Sequence, residues 1–304
     1  MNQPSSLAAA MPFAGAVSDA LARAGASAAA SGAAAAAATP FMTHFRSRQE
    51  ALVGPNLSLP PLVRALLERS VESFKPREPI AFDPKDALTH VAFVLDSSSS
   101  MNHGKGATVE GFNAQLQVVR EGAKLAGKTT FTDVHFDSYV KVRGVTKELG
   151  EHTEGQLLEL TDQTYLPCGS TALYDALGET IAQLLSTPAI EAPSTAVLVT
   201  LFTDGEENAS RVYDAATLKA LVERLEATQR WTFALVGPRQ GVTGLADLLS
   251  VRRKNIAGFD VSSVADKRAA FGKAAGANAA YMSLRAMGQS ASASLYDDSS
   301  LPDA

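Results

Sequence analysis

The sequence predicts an α/β fold: a doubly wound, mostly parallel central sheet flanked by helices, behind a low-complexity N-terminal arm. Three observations carry this. Apolar runs of strand length alternate with segments of helical periodicity. The two runs that end at Asp96 and Asp204 are apolar at nearly every position, as in strands covered on both faces. The alternation starts only at His90, after an alanine-rich and then a proline-rich stretch.

Residues 1–40 are expected to be an Ala-rich arm, disordered or transiently helical, because alanine favours helix but buries little surface. Residues 41–87 hold a docking helix and a Pro-containing linker. In "LPPLVRALLERSVESF", Pro61 suits a first helical turn, and Leu62, Leu66, Leu67, Val71 and Phe74 are expected on one apolar face. "KPREPIAFDPKD" then reads as extended.

The domain proper is expected over 88–287. "HVAFVLD" is its first strand. Val109, Phe112, Leu116 and Val119 mark a helix over 107–125. "TTFTDVHFD" and "YVKVRGV" are close enough to form a hairpin that places one strand antiparallel. Leu173, Leu177, Ile181 and Leu184 mark a helix over 171–186, and "TAVLVTLFTD" is the most apolar strand. Leu218, Leu221, Val222 and Leu225 give the next helix. "WTFALVG" and "IAGFDVS" are strands, and residues 264–285 a closing helix with Phe271 and Tyr281. Residues 288–304 are a Ser-rich acidic tail, expected to be disordered.

Composition narrows the function classes. With 19% charged and 46% hydrophobic residues the chain reads as soluble and globular, and a net charge of −5 gives no basic footprint for nucleic acid. The single cysteine, Cys168, cannot form an internal disulfide, which favours a reducing, cytoplasmic compartment. No Lys or Arg precedes the first apolar residues, so the basic region of a signal peptide is missing. "SGAAAAAATP" is too short and too weakly apolar to span a bilayer.

The chemistry-bearing residues sit where strands end. Asp96 and Asp204 each close an apolar strand, and parallel strands bring both to one edge. Two close carboxylates repel unless something positive lies between them. Ser98 and Ser100 follow Asp96 at alternate positions and can point to its side, with Ser97 and Ser99 pointing away to serve the loop backbone. Hard oxygen groups of this kind suit Mg2+. Thr171, in "CGSTALYDALG", enters a helix; as a plain N-cap its hydroxyl would accept a backbone N–H. Asp175, one turn later on the same face, could support the set from behind.

Asp96-x-Ser98-x-Ser100, then Thr171, then Asp204-Gly205, in that order along an α/β chain, resembles a von Willebrand factor type A domain and its metal-ion-dependent adhesion site, over about residues 88–285. The stretches "GSTALYDALG" and "TDGEENAS" are most similar to stand-alone bacterial and phage members. The resemblance implies that Ser98, Ser100 and Thr171 offer hydroxyls to a divalent ion, with Asp96 and Asp204 acting mainly through water. It implies Mg2+, with Mn2+ or Ca2+ as substitutes, and a protein partner whose Asp or Glu completes the ion's sphere. Ser99 departs from the glycine common in that family; an exposed loop accepts it.

Other classes are less well served. A haloacid-dehalogenase-type phosphatase needs a second acid two residues after the first, where Ser98 stands, so a metal-dependent hydrolase of phosphate esters is the alternative rather than the expectation; a metal-free scaffold of the same fold is the third reading. "DSSSS" is no nucleophile elbow, and His44, His90, His103, His135 and His152 fit no triad order. Cys168 is expected to be a small packed residue, Trp231 core, Asp137 a turn residue, and Glu206 and Glu207 a solvated loop. Asp297, Asp298 and Asp303 could reach the open metal position of their own chain or a neighbour, giving self-association through the tail.

Overall fold

The computed structural model describes residues 59–76, 80, 82–149, 159–290 and 295–296. The expected arm, His44, His152 and the tail acids Asp297, Asp298 and Asp303 lie outside the described residues.

The run "LTHVAFVLD" forms β1 (Leu88–Asp96), and its side chains divide by parity as a pleated strand requires. Ala92 and Val94 enter one core, Val91, Phe93 and Leu95 the other. β2 (Lys128–Phe136) and β4 (Thr195–Phe202) flank it in parallel, with Asp96 opposite Phe136 and Leu95 opposite Phe202. The expected hairpin is present: β3 (Val140–Leu149) pairs antiparallel with β2. β5 (Trp231–Pro238) and β6 (Ile256–Phe259) extend the sheet in parallel, giving the order β3-β2-β1-β4-β5-β6. The order reverses between β1 and β4, and open α/β sheets bind ligands in the crevice at such a switch point.

One face carries α1 (Pro61–Leu67), α3 (Leu173–Leu185), α4 (Ala215–Ala227) and α5 (Arg239–Leu249) over a largely aliphatic core. The other carries α2 (Lys105–Ala123) and α6 (Val264–Ala286) over an aromatic one. There Phe93 meets Phe112, Phe131 and Phe202 edge-on at 5.7, 5.0 and 5.4 Å, a geometry aromatic quadrupoles favour. α2 and α6 approach closely through glycine: a Cβ at Gly111 would lie 2.3 Å from the Phe271 ring, and one at Gly122 would lie 2.6 Å from Met282.

The structure corrects three expectations. The docking helix stops at Leu67, and Val71–Phe74 is a separate 3-10 turn, with Leu62 exposed and Val63 buried instead. Its carbonyls explain the stop: Arg224 of α4 donates to the Leu67 and Arg69 carbonyls at 3.1 and 2.8 Å, so the open end is satisfied without further helix. α5 is an additional helix, held by Val242, Ala246 and Leu249. The tail is docked at residues 295–296: the Tyr296 N–H donates to the Lys254 carbonyl at 2.7 Å, Leu295 N–H to Asn255 Oδ1 at 3.0 Å, and Tyr296 is buried. Among the described residues no helix is long and apolar enough to cross a membrane.

Candidate metal centre

β1 delivers Asp96 to the carboxyl edge fully buried. One of its oxygens, Oδ1, accepts the Ser98 N–H at 2.7 Å, a turn that aspartate makes readily. That turn sets Ser98 Oγ 3.0 Å from Ser100 Oγ, at the start of a 3-10 turn (Ser99–Asn102) pinned by buried Met101. Ser97 faces away, its hydroxyl donating to the Phe136 carbonyl at 2.9 Å.

A second loop, 165–171, is fastened to the first. Cys168 N–H donates to the Ser97 carbonyl at 2.8 Å, Ser99 N–H to the Gly169 carbonyl at 3.1 Å, and Asn102 Nδ2 to the Pro167 carbonyl at 3.1 Å. The buried Tyr165 hydroxyl donates to the Asp96 carbonyl. Cys168 itself is exposed rather than packed in the core, with Sγ 3.8 Å from Asp137 Oδ2.

Thr171 is not the N-cap of α3. That position is Ala172, which supplies no side-chain cap. The loop after β4 caps the helix instead. Asn208 Oδ1 accepts the Thr171 N–H at 2.8 Å, Glu207 Oε2 the Tyr174 N–H at 2.9 Å, and Ser210 Oγ the Asp175 N–H at 3.0 Å. In return the Asp175 carboxylate accepts the N–H groups of Arg211, Val212 and Tyr213 at 2.8, 2.9 and 2.9 Å. Glu207 is therefore a cap for another segment's helix rather than a solvated loop residue, while Glu206 is exposed. Reciprocal side-chain capping satisfies the orphan donors of a helix start, and here it leaves the Thr171 hydroxyl to face the site.

Convergence can be read at Gly205. A Cβ built there would lie 3.2 Å from Thr171 Oγ1, 3.3 Å from Ser100 Oγ and 3.7 Å from Asp96 Oδ2. One point is thus surrounded by oxygens of three residues from two segments, the end of β1 and the loop before α3. Asp204 adds a third segment, with Oδ1 buried and without a hydrogen-bond partner. An orphaned buried carboxylate oxygen beside clustered hydroxyls is the environment a hard cation satisfies. The donor set fits a divalent ion of the Mg2+ class: two carboxylates and three hydroxyls. Among the described residues no group of three or more His, Cys, Asp or Glu side chains gathers as a metal cluster.

Four residues of the site were not predicted from the sequence. Thr203 Oγ donates to Asp96 Oδ2 at 2.6 Å and accepts the Gly205 N–H at 3.2 Å, fixing one acid against the loop of the other. Tyr165 and Glu207 act as described above. Lys267, buried in the first turn of α6, sets Nζ 3.6 Å from Asp204 Oδ2. Its existence answers the repulsion expected between the two acids. Burial pushes the Asp96 carboxyl above its usual range; the hydrogen bonds from Ser98 and Thr203 oppose this and the charge of Asp204 adds to it. Burial lowers the Lys267 ammonium from its ordinary value, with Asp204 and Asp96 pulling it back up.

The remaining polar residues are structural. His90 and His135 are buried in β1 and β2, Asp137 accepts the Tyr139 N–H at 3.0 Å in the hairpin turn, and Trp231 is core.

No known family's sequence model matches the chain, and no curated protein does. Solved structures similar to it include a von Willebrand factor type A protein from Catenulispora acidiphila, at 14% identity and a TM-score of 0.43 over 64% of this chain and 43% of that one. Another is the PilB minor pilin from Streptococcus sanguinis, at 12% and 0.44 over 70% and 63%. A third is proximal thread matrix protein 1 from the mussel byssus with a zinc-occupied MIDAS motif, at 17% and 0.42 over 62% and 46%. Each match spans less than two thirds of the other protein. Likeness this partial says nothing of ligand or partner, and the fold stands on its own strand order and register.

Proposed function

We propose that this chain is a von Willebrand factor type A-like domain that binds a divalent cation through Asp96, Ser98, Ser100, Thr171 and Asp204, and through it a carboxylate of a protein partner. The observation that supports this best is the convergence of Thr171, Ser100 and Asp96 oxygens on one point beside the orphaned Asp204 Oδ1. When bound, the ion supplies an open Lewis-acidic position for an incoming Asp or Glu.

The chain's own residues do the rest. The Thr203 hydroxyl and the Ser98 N–H hold the two Asp96 oxygens in fixed directions. The fastened loops 97–102 and 165–171 present the serine and threonine hydroxyls without reorganisation, so little ordering entropy remains to be lost on binding. With only two acids among five oxygens, and one of those acids beside Lys267, the site keeps a low negative charge, which leaves a divalent ion attractive to an outside carboxylate. Mg2+ is the proposed ion and an acidic protein segment the proposed partner. The domain division 88–287, with its flanking arm and tail, belongs to the same reading.

Calorimetric titration of Mg2+ and Mn2+ into the full chain, beside Asp96→Ala and Asp204→Ala, tests it. Saturable binding lost in both folded variants, and strengthened by a carboxylate-bearing peptide, is the expected result. No binding to the folded parent, with or without acetate, sinks the proposal. Metal-dependent turnover of a phosphate ester would replace it with a hydrolase.

A further inference from the structure

α6 carries a lysine where helix electrostatics argue against one. Lys267 lies in the first turn, one turn after the N-cap Ser263, where the positive end of the helix dipole disfavours a cation. It is also buried, which penalises its charge. Its ammonium has three protons to place but meets one ordinary acceptor, the His103 carbonyl at 3.2 Å. The Met101 sulfur is 3.9 Å away, and the Phe259 ring centroid 5.5 Å. What it faces is the pair of site acids, Asp204 at 3.6 Å and Asp96 beyond it.

Resting on the metal reading above, we propose that Lys267 is an internal competitor of the divalent ion: its ammonium neutralises Asp204 in the metal-free protein and holds metal affinity low enough that a partner's carboxylate is needed to retain the ion. With Lys267 the three charged side chains sum to −1; without it the two acids carry −2, and a doubly charged ion gains the difference. Its stem packs against Gly104, where a Cβ would lie 3.3 Å from Lys267 Cδ and crowd it. Metal and partner are then coupled: the carboxylate the partner brings replaces the share of Asp204 that the ammonium keeps.

The test is calorimetry of Mg2+ and Mn2+ on the full chain, on Lys267→Met and on Lys267→Arg, each with and without acetate, with thermal melts to confirm folding. Lys267→Met should bind metal about tenfold or more tightly than the parent, gain more thermal stability from metal, and depend less on acetate. Lys267→Arg, which keeps the charge, should stay close to the parent. Lys267→Gln takes the place of the methionine variant if that one does not fold. Equal affinities in parent and Lys267→Met overturn the proposal while leaving the metal site standing. Equal tightening in Lys267→Arg overturns it too, because the effect is then packing rather than charge. Absence of binding in every protein, acetate present, removes both the competitor and the metal reading.

Discussion

α6 buries a cation at each end, and the two are held very differently. Arg285, fully buried, donates to Thr89 Oγ at 3.1 Å, to the Gln289 and Leu88 carbonyls at 3.0 and 3.2 Å and to the Ser194 carbonyl, and stacks 4.4 Å over Phe82. Lys267, about 27 Å along the helix by its rise per residue, has one good acceptor and a carboxylate at 3.6 Å. Every acceptor of Arg285 is neutral and most are backbone, so the guanidinium's planar fork ties strand starts together. Lys267 faces the carboxylate of Asp204, whose other oxygen has no hydrogen-bond partner. At the amino edge of the sheet a buried charge is fully spent on structure; at the carboxyl edge it is left under-coordinated.

The sharpest way to break this contrast is Arg285→Met. Four bonds to a charged donor are lost, although Gln289 is exposed and the Ser194 carbonyl keeps the Leu88 N–H at 3.2 Å; hydrogen bonds to charged groups contribute about 1.5–3 kcal/mol each, so a loss of about 4 kcal/mol is expected. It should appear as a fall in Tm that no added Mg2+ restores. Lys267→Met should instead be rescued by metal. If metal rescued both, or neither, the two ends would not differ in the way argued.

The same contrast runs along β1, whose amino end buries a base and whose carboxyl end buries an acid. Burial, aided by Lys128, lowers the His90 imidazole to about 4 from its usual 6.5. Between those values the unfolded chain binds the proton and the folded chain does not. The stability due to neutral His90 is therefore complete above 6.5 and is lost as pH falls toward 4. The full effect is roughly 3 kcal/mol. Tm should drop over that window, and the drop should shrink in His90→Gln. An unchanged profile in the variant would assign the acid sensitivity to other groups, such as buried His135, whose imidazole burial lowers likewise.

How much of this was legible in the sequence follows from range. Asp96, Ser98, Ser100 and Asp204 stood out because strand ends and alternate positions are local patterns, and parallel pairing brings the two acids to one edge; Thr171, read alone, was a plain helix cap and joined them only through the resemblance. Lys267 was not: it lies in an alanine-rich helix far along the chain, and only the packing of α6 against β6 and α2 carries it to Asp204. Thr203 read as the end of an apolar strand, and a hydroxyl there shows no sign of the acid it bonds. Glu207 read as solvated because capping of one segment by another has no sequence spacing. α5 was missed since Gly241 and Gly244 lower helix propensity, although Val242, Leu245, Ala246 and Leu249 keep helical spacing. α1 was over-read because an apolar face continued past the point where Arg224 closes the helix.

Support for the site can be separated from the site itself. Asp175 accepts three backbone N–H groups, and Asp175→Asn replaces one acceptor oxygen by a donor aimed at other donors. Charge-assisted bonds are the stronger kind, so a loss of about 2 kcal/mol in stability is expected, measured by urea denaturation. Metal affinity should fall with it, because the same loop carries Asn208 and Glu207, which place Thr171. A variant that lost stability but kept its full metal affinity would show that Thr171 is positioned without that loop.

Thr171→Val is the smallest change and discriminates best. It keeps the side chain's shape and removes one hydroxyl. If the hydroxyl serves the fold as a helix cap, valine should cost about 1 kcal/mol of stability and leave metal binding alone. In the structure the capping is done by Asn208, Glu207 and Ser210, and Thr171 Oγ1 faces the point shared with Ser100 and Asp96. The expected outcome is therefore the reverse: stability within about 0.5 kcal/mol of the parent, as for changes away from structural features, and metal affinity lower by about tenfold, or 1.4 kcal/mol. Melts and calorimetry on the same preparation decide it. The two numbers should move apart because the carboxyl edge has delegated its structural work to the loop after β4, leaving the threonine's oxygen for the ion.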